Sequence, residues 1–308
     1  MAEIVITEFM DEPAVERLRA AHNTLYDPKL VDSPHALIRE AAGARALIVR
    51  NRTQMRGALL DAAAALICVG RLGVGLDNID VDACRARGVA VIPATGANDE
   101  SVAEYVIAAA MILLRGAVFA SDAVRAGDWP RQRLMGREIA GRTFGAVGFG
   151  SIGAATARRA AALGMRCVAF DPRFADGAAP SAGVEPMALD ALLAAADVVS
   201  LHVPLTDHTR RMIDAVALAR MKPDAILINA ARGGVVDEAA LAAALKSGRL
   251  GGAALDVFNT EPLTAEAGAV FADCPNLILT PHIAGVTTDS NRRVSHLIAD
   301  KVLEALGG

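Results

Sequence analysis

Thr143-Phe-Gly-Ala-Val-Gly-Phe-Gly-Ser-Ile-Gly153 decides the architecture of this chain. Residues 143–147 are a short apolar run, and Gly148-x-Gly150-x-x-Gly153 follows at once. The next stretch, 152–163, is alanine-rich and reads as a helix. A second strand, 165–170, leads into Asp171, 18 residues after Gly153. Strand, glycine turn, helix and an acid closing the next strand are the full context of a dinucleotide-binding β-α-β unit. Gly148 permits the tight turn, Gly150 lets the backbone approach a pyrophosphate, and Gly153 lets helix and strand pack closely. Ile152 opens the helix with Ser151 just before it, where free N–H groups and the positive dipole end meet the phosphates. Asp171 would accept hydrogen bonds from the adenosine ribose and repel a 2′-phosphate. NAD is therefore the cofactor read here, although Arg173 leaves some room for NADP.

Outward from this unit, strand and helix signals alternate. Before it, strands are expected at 4–9, 46–49, 66–72 and 89–92. Asp11 with Pro13, and Ser33 with Pro34, open helices between them. Pro93-Ala-Thr-Gly-Ala-Asn98 breaks the pattern, and a long apolar helix runs from about 99 to 116. Ser101-x-x-Glu104 has capping-box spacing near its start, with Asn98 or Asp99 as alternative caps. After Gly153, strands are expected at 165–170, 198–203, 225–230, 253–258 and 277–280, and a last helix at 288–306. Repeated β-α units predict parallel sheets with helices on both faces. The fold class is α/β with two doubly wound parallel-sheet domains.

Composition agrees with that class. Of 308 residues, 53% are hydrophobic and only 4% aromatic, so Ala, Val, Leu and Ile must fill the interior. The net charge is -4 with no long run of like charge, which argues against nucleic acid or an anionic membrane as partner. The longest apolar run, 105–114, is too short to span a bilayer. Cys68, Cys84, Cys167 and Cys274 stand at no metal-ligand spacing, so no metal is expected. They read as small buried hydrophobes in a reducing compartment. Met1-Ala-Glu-Ile-Val has no basic leader, and a cytoplasmic location is expected.

Three polar residues close later strands: Arg232, Glu261 and His282. In a doubly wound sheet the carboxyl ends of strands face one crevice. Reduction of a ketone puts negative charge on its oxygen, which then needs a proton and a nearby cation. Imidazolium at His282 would give the proton, Glu261 would stabilise and orient it, and Arg232 would fork a substrate carboxylate. Singly, each is an ordinary surface charge. Together with the glycine loop they read as a catalytic set.

At this point the chain resembles the D-isomer-specific 2-hydroxyacid dehydrogenases, over nearly its whole length. The pieces are Gly73-Val-Gly-Leu-Asp-Asn-Ile-Asp80, Asn98 with Ser101-Val-Ala-Glu104, and Gly127-Asp-Trp129. They continue through Gly141–Gly153, His202-Val-Pro-Leu-Thr206, Met221-Lys-Pro223 and Asn229-Ala-Ala-Arg-Gly-Gly234. Leu255-Asp-Val-Phe258 with Glu261-Pro262, and Pro281-His-Ile-Ala-Gly285, complete them. The resemblance implies a substrate-binding domain of 1–97 with 285–308 and an NAD-binding domain of 98–284, with a cleft between them. It implies catalysis by Arg232, Glu261 and His282. It implies contact of Asp256 with the nicotinamide carboxamide, and places Pro204 and Ala230 with Arg232 and His282 along the cofactor. The backbone at Val74 and Gly75 would hold the substrate carboxylate. It also implies a homodimer through the cofactor domains, formed by the helix after Asn98 and the Trp129 segment. Formate dehydrogenases share the fold but carry Gln where Glu261 stands. No C-terminal regulatory domain of the phosphoglycerate dehydrogenase kind is expected.

The substrate clue is Arg50-Asn51-Arg52-Thr53. Two arginines at i and i+2 of an extended chain point the same way and would bind a strong distal anion. The stretch resembles the phosphate-binding Arg-x-Arg-Thr of some phosphoglycerate dehydrogenases. Arg131 and Arg133 add charge nearby in sequence to Trp129. A dianionic three-carbon 2-hydroxy or 2-keto acid is expected, of the 3-phosphoglycerate or 3-sulfolactate class. Ile6-Thr-Glu-Phe-Met-Asp11 with Val49-Arg-Asn-Arg-Thr-Gln54 is similar to bacterial sulfolactate dehydrogenases. A hydroxypyruvate or glyoxylate reductase is the alternative. An NAD(H)-sensing corepressor of the same fold is the alternative of another class.

Overall fold

The computed structural model describes residues 2–181 and 183–307; Met1, Ala182 and Gly308 lie outside the description. Two compact units emerge, Met1–Asn98 with Val286–Gly308, and Asp99–Gly285. The sequence reading divides the chain at 97/98 and 284/285.

In chain order the first unit contains β1 (Ile4–Ile6), α1 (Glu12–Ala21), β2 (Thr24–Tyr26), α2 (Pro34–Ala41) and β3 (Ala46–Val49). It continues with α3 (Gly57–Ala62), β4 (Cys68–Arg71), α4 (Val81–Ala86) and β5 (Ala90–Pro93). The second unit opens with α5 (Asp99–Arg115) and α6 (Ser121–Arg125), then β6 (Thr143–Val147), α7 (Ser151–Ala162), β7 (Arg166–Phe170) and β8 (Val184–Pro186). There follow α8 (Leu189–Ala195), β9 (Val198–Leu201), α9 (Ala215–Arg220), β10 (Ile226–Asn229) and α10 (Glu238–Lys246). It closes with β11 (Gly252–Leu255), α11 (Ala265–Gly268) and β12 (Leu277–Leu279), and α12 (Thr288–Leu306) returns to the first unit.

Among the described residues the first sheet has the order β2-β1-β3-β4-β5, all parallel. This is the flavodoxin-like arrangement. The second has the order β12-β11-β10-β9-β6-β7-β8, also all parallel. From β6 outward this is the Rossmann order, with one strand added at the far edge, and its reversal point lies between β6 and β9. The inner strands β3, β9, β10 and β11 are buried on both faces, as parallel strands covered by helices must be.

The sequence reading missed β2 and β8. Both are three-residue edge strands with little buried surface, so neither shows an apolar run. Asp11 stands at the N-cap of α1, but its side chain makes no capping bond. Helix α5 begins at Asp99, so Ser101 lies within its first turn and not at the cap position. Among the described residues no single helix is long and apolar enough to cross a membrane. Cys68, Cys84 and Cys167 are buried as expected, whereas Cys274 is partly exposed.

Helix α12 shows how sequence writes a packed element. Thr287 and Ser290 form a reciprocal capping box, and Gly307 ends the helix in the left-handed region, φ 85°. Val294, Ile298, Val302 and Leu306 recur every fourth residue and are buried. Burying each contributes roughly 1.5–3 kcal/mol. Their seat is β4, where a Cβ on Gly70 would stand 2.7 Å from Ile298 Cγ2 and 3.0 Å from Val302 Cγ2. Gly70→Val should therefore overpack this seat and destabilise the chain by about 1–3 kcal/mol. A lowered urea midpoint at unchanged slope checks it, and an unchanged midpoint would mean that α12 is free to shift.

Candidate active site

The glycine loop lies where the second sheet reverses. Strand β6 runs into Gly148, which adopts φ 91°, and α7 starts at Ser151. A Cβ on Gly148 would meet His202 O at 2.7 Å, and one on Gly153 would meet Gly148 O at 2.5 Å. Only glycine admits this approach of loop, helix and the end of β9. Gly150 faces open space and caps α7 without any side-chain bond, so the first-turn N–H groups stay available to an anion. These residues fit a dinucleotide pyrophosphate.

Asp171 follows β7. Its carboxylate accepts the Phe149 N–H at 2.9 Å and the Arg173 backbone N–H at 3.0 Å. Arg173 also donates two side-chain bonds to it, both 2.8 Å. The guanidinium outweighs burial and holds this carboxyl well below the usual carboxylate range. Asp171 is thus a permanent anion with a cation laid against it, and Arg173 tempers any repulsion of a 2′-phosphate.

Arg232, Glu261 and His282 follow β10, β11 and β12, three neighbouring strands of one sheet. Residues up to 50 apart in sequence are thereby brought into one row. His282 Nδ1 lies 2.7 Å from Glu261 Oε2, and Glu261 Oε1 accepts the Phe258 N–H at 3.0 Å. Burial alone would raise the Glu261 carboxyl. The bonds from His282 and Phe258, with the charges of His282 and Arg232, bring it below its ordinary 4.5 instead. With Nδ1 engaged, Nε2 is the nitrogen left to exchange a proton.

The turns bearing these side chains are held by buried polar residues. Asn229, 1% exposed, accepts the Ala231 N–H at 3.1 Å and donates to Arg232 O at 3.0 Å, which fixes Ala230–Arg232. Asp256, also 1% exposed, accepts from Thr280 Oγ1 (2.6 Å), Ile283 N (2.8 Å) and Ala284 N (2.8 Å). Its carbonyl takes the His282 N–H at 2.8 Å, and His282 sits at φ 55°. A histidine with positive φ is uncommon and is held by its surroundings. In this structure, then, Asp256 is turned onto the His282 turn. Tyr105 completes the chain with a 2.6 Å contact to Thr280 Oγ1. The sequence reading gave neither Tyr105 nor Thr280 a role in the site, because their partners are not adjacent in sequence. Pro204 lies on the loop after β9, where its carbonyl accepts Thr209 Oγ1 at 2.6 Å.

In the first unit, 51–53 is a bend and strand β3 has already ended at Val49. The expectation of two arginines on one side of an extended chain is corrected accordingly. Arg50 donates to Asn291 Oδ1 at 2.7 Å and lies over the Phe9 ring at 5.9 Å, while the exposed Arg52 pairs with Asp32. Asn51 is exposed, and Val74 and Gly75 are half-buried on the loop after β4. Arg131 and Arg133 are both exposed.

The family model described as D-isomer specific 2-hydroxyacid dehydrogenase, NAD binding domain, matches residues 107–284. The chain is 54% identical over 308 residues to an (S)-sulfolactate dehydrogenase of Chromohalobacter salexigens, covering 100% of this chain and 99% of that one. The chain belongs to the D-isomer specific 2-hydroxyacid dehydrogenase family. It is an NAD-dependent oxidoreductase of that family. A D-3-phosphoglycerate dehydrogenase of Mycobacterium leprae is 42% identical over 291 residues; 94% of this chain is matched, but it spans only 54% of that relative's length. Among solved structures, a D-lactate dehydrogenase from Aquifex aeolicus, complexed with NAD and lactic acid, superposes with a TM-score of 0.86 at 29% identity, covering 99% of this chain and 95% of that one.

The Glu261–His282 pair gives this dehydrogenase a pH signature. The depressed Glu261 value means that the pair contributes stability above about pH 4.5 and loses it as pH falls through the lowered value. The His282 and Glu261 side chains are 43% and 33% exposed, so the contribution should stay below about 1 kcal/mol. Its titration is the sharper readout. In His282→Ala the Glu261 carboxyl should titrate at higher pH than in the wild type, read by carbon-13 NMR. Coinciding curves would mean that the pair does not form in solution.

Proposed function

We propose that the enzyme interconverts 3-sulfolactate and 3-sulfopyruvate, or the closely related 3-phosphoglycerate pair, using Arg232, Glu261 and His282. The observation that carries the chemistry is the 2.7 Å contact between His282 Nδ1 and Glu261 Oε2. An imidazole so fixed can pass a proton at Nε2 while the carboxylate steadies its charged form. Bound NADH supplies the hydride. As the keto oxygen gains negative charge, His282 gives it a proton, and Arg232 holds the substrate carboxylate in its planar fork. In oxidation, neutral His282 takes the hydroxyl proton. Gly148, Gly150, Ser151, Ile152 and Gly153 hold the pyrophosphate, Asp171 the adenosine ribose, and Pro204, Ala230 and Asp256 the nicotinamide end. The backbone at Val74 and Gly75 takes the substrate carboxylate, and the exposed Arg52 takes the distal anion.

The full-length similarity to a sulfolactate dehydrogenase supports the dianionic reading. So does Arg52, an exposed cation whose side chain pairs with the exposed Asp32. The test is NADH oxidation against 3-sulfopyruvate, 3-phosphohydroxypyruvate, hydroxypyruvate, glyoxylate and pyruvate, with wild type and Arg52→Ala side by side. A dianionic acid should be preferred, and Arg52→Ala should lose that preference. If a monoanionic acid wins, the distal-anion reading is discarded. His282→Ala should cut kcat about 10²- to 10⁴-fold.

The proposal includes a cytoplasmic homodimer joined through the second unit. Val118, Phe119, Val124, Trp129 and Met135 are all exposed, Trp129 to 75% and Met135 to 76%. Exposed apolar side chains this close together in sequence are what a partner copy would cover. The four free cysteines suit a reducing compartment. Trp129→Glu with Met135→Glu should turn a sedimenting dimer into a monomer; a wild type that sediments as a monomer would rule the interface out.

A further inference from the structure

The arch that carries Arg52 is pinned from both sides by buried side chains. On one side is Glu8, 5% exposed, whose carboxylate accepts the N–H groups of Arg50 (2.9 Å), Arg52 (3.2 Å) and Thr53 (3.0 Å). On the other is Asn78, also 5% exposed, whose amide donates to the carbonyls of Arg50 (2.9 Å) and Thr53 (2.7 Å). Those two carbonyls bracket Asn51 and Arg52. Thr7 adds a 2.8 Å hydroxyl contact to the buried Thr53. The arch therefore has its N–H groups tied to one side chain and its carbonyls to another.

Asn78 does not come from a neutral part of the fold. It belongs to the loop Gly73–Asp80, three residues beyond Gly75. The backbone adds two more ties between the same segments: Met55 N to Asn78 O at 2.8 Å and Asp80 N to Met55 O at 3.0 Å. Resting on the substrate reading above, one loop holds the carboxylate of the acid and the other its distal anion. The two loops share one hydrogen-bonded plate, and the buried Asn78 amide is the joint.

We propose that Asn78, backed by Glu8, is a specificity-determining positioning pair that fixes the spacing of the two anion-holding loops and so sets the length of acid accepted. Neither side chain touches substrate. The amide holds Arg52 at a set distance from the backbone of Val74 and Gly75. Releasing the joint lets the arch drift outward, which harms an acid of the right length and favours one longer by a methylene.

The experiment compares kcat/KM for 3-sulfopyruvate and for 4-sulfo-2-oxobutyrate, its homologue longer by one methylene, in the NADH-loaded full chain. Wild type, Asn78→Ala, Glu8→Gln and Arg52→Ala are run together, with NADH affinity read by fluorescence. A pocket discriminates one methylene by about 10- to 200-fold, and Asn78→Ala should erode that ratio by about tenfold, through KM and not kcat. NADH affinity should not move. Glu8→Gln, which keeps the shape of the side chain, should shift the ratio in the same direction and guards against a poorly folded Asn78→Ala. If both acids lose equally, or the ratio holds in both variants, the spacing role is overturned. If Arg52→Ala keeps the preference for a dianionic acid, the distal-anion reading itself fails, and that outcome is distinct from the first.

Discussion

A carboxylate buried at the end of a parallel strand, with its lone pairs taken up by backbone N–H groups, recurs in both units of this enzyme. Asp256 holds the His282 turn in this way, and Glu8 holds the Arg50–Thr53 arch. A buried charge left without donors is costly, so such a side chain is stable only while the loop keeps the one conformation that aims its N–H groups inward. A hydrogen bond to a charged group is worth about 1.5–3 kcal/mol, and three together confine a short turn firmly. The consequence at His282 is a left-handed backbone that the residue would not adopt unaided. Strain is placed in the turn and compensated by the acid beneath it.

Strand order supplies the second constraint. Because β10, β11 and β12 are neighbours, the three residues that follow them come into one row without any long loop. Because β6 and β9 are neighbours at the reversal of order, the glycine loop and the end of β9 approach within the reach of a single missing Cβ. Chemistry and cofactor loop thus share the carboxyl edge of one sheet, as doubly wound sheets require.

The polar contacts divide by burial. The Glu261–His282 pair is half-exposed, and such pairs add little to stability. Its worth lies in fixing which imidazole nitrogen is free. Asp256, Asn229, Glu8 and Asn78 are buried, so their hydrogen bonds determine loop shape. The Asp171–Arg173 pair stands between these cases: its acid is tucked under the loop, and its base lies in solvent.

Much was legible from the chain alone. The Gly148–Gly153 loop, the strands 46–49 and 143–147 and the helix 288–306 stand where periodicity and turn chemistry put them. The fold class followed, because glycine spacing, caps and apolar runs are local signals read within a few residues, and the family followed from the resemblance of its ordered motifs. The edge strands β2 and β8 were not legible, since short half-exposed segments carry no apolar run. Nor were the separate partners of Arg50 and Arg52, which depend on α12 and on the turn at Asp32. The roles of Tyr105, Thr280, Asn229 and Asn78 emerged only in three dimensions. The Asn229 amide works within its own turn, but Thr280 reaches Asp256 across 24 residues and Tyr105 reaches Thr280 across 175. Sequence determines which residue types stand at each strand end. Only the order of strands in the sheet decides which of those ends are neighbours, and hence which buried polar group satisfies which.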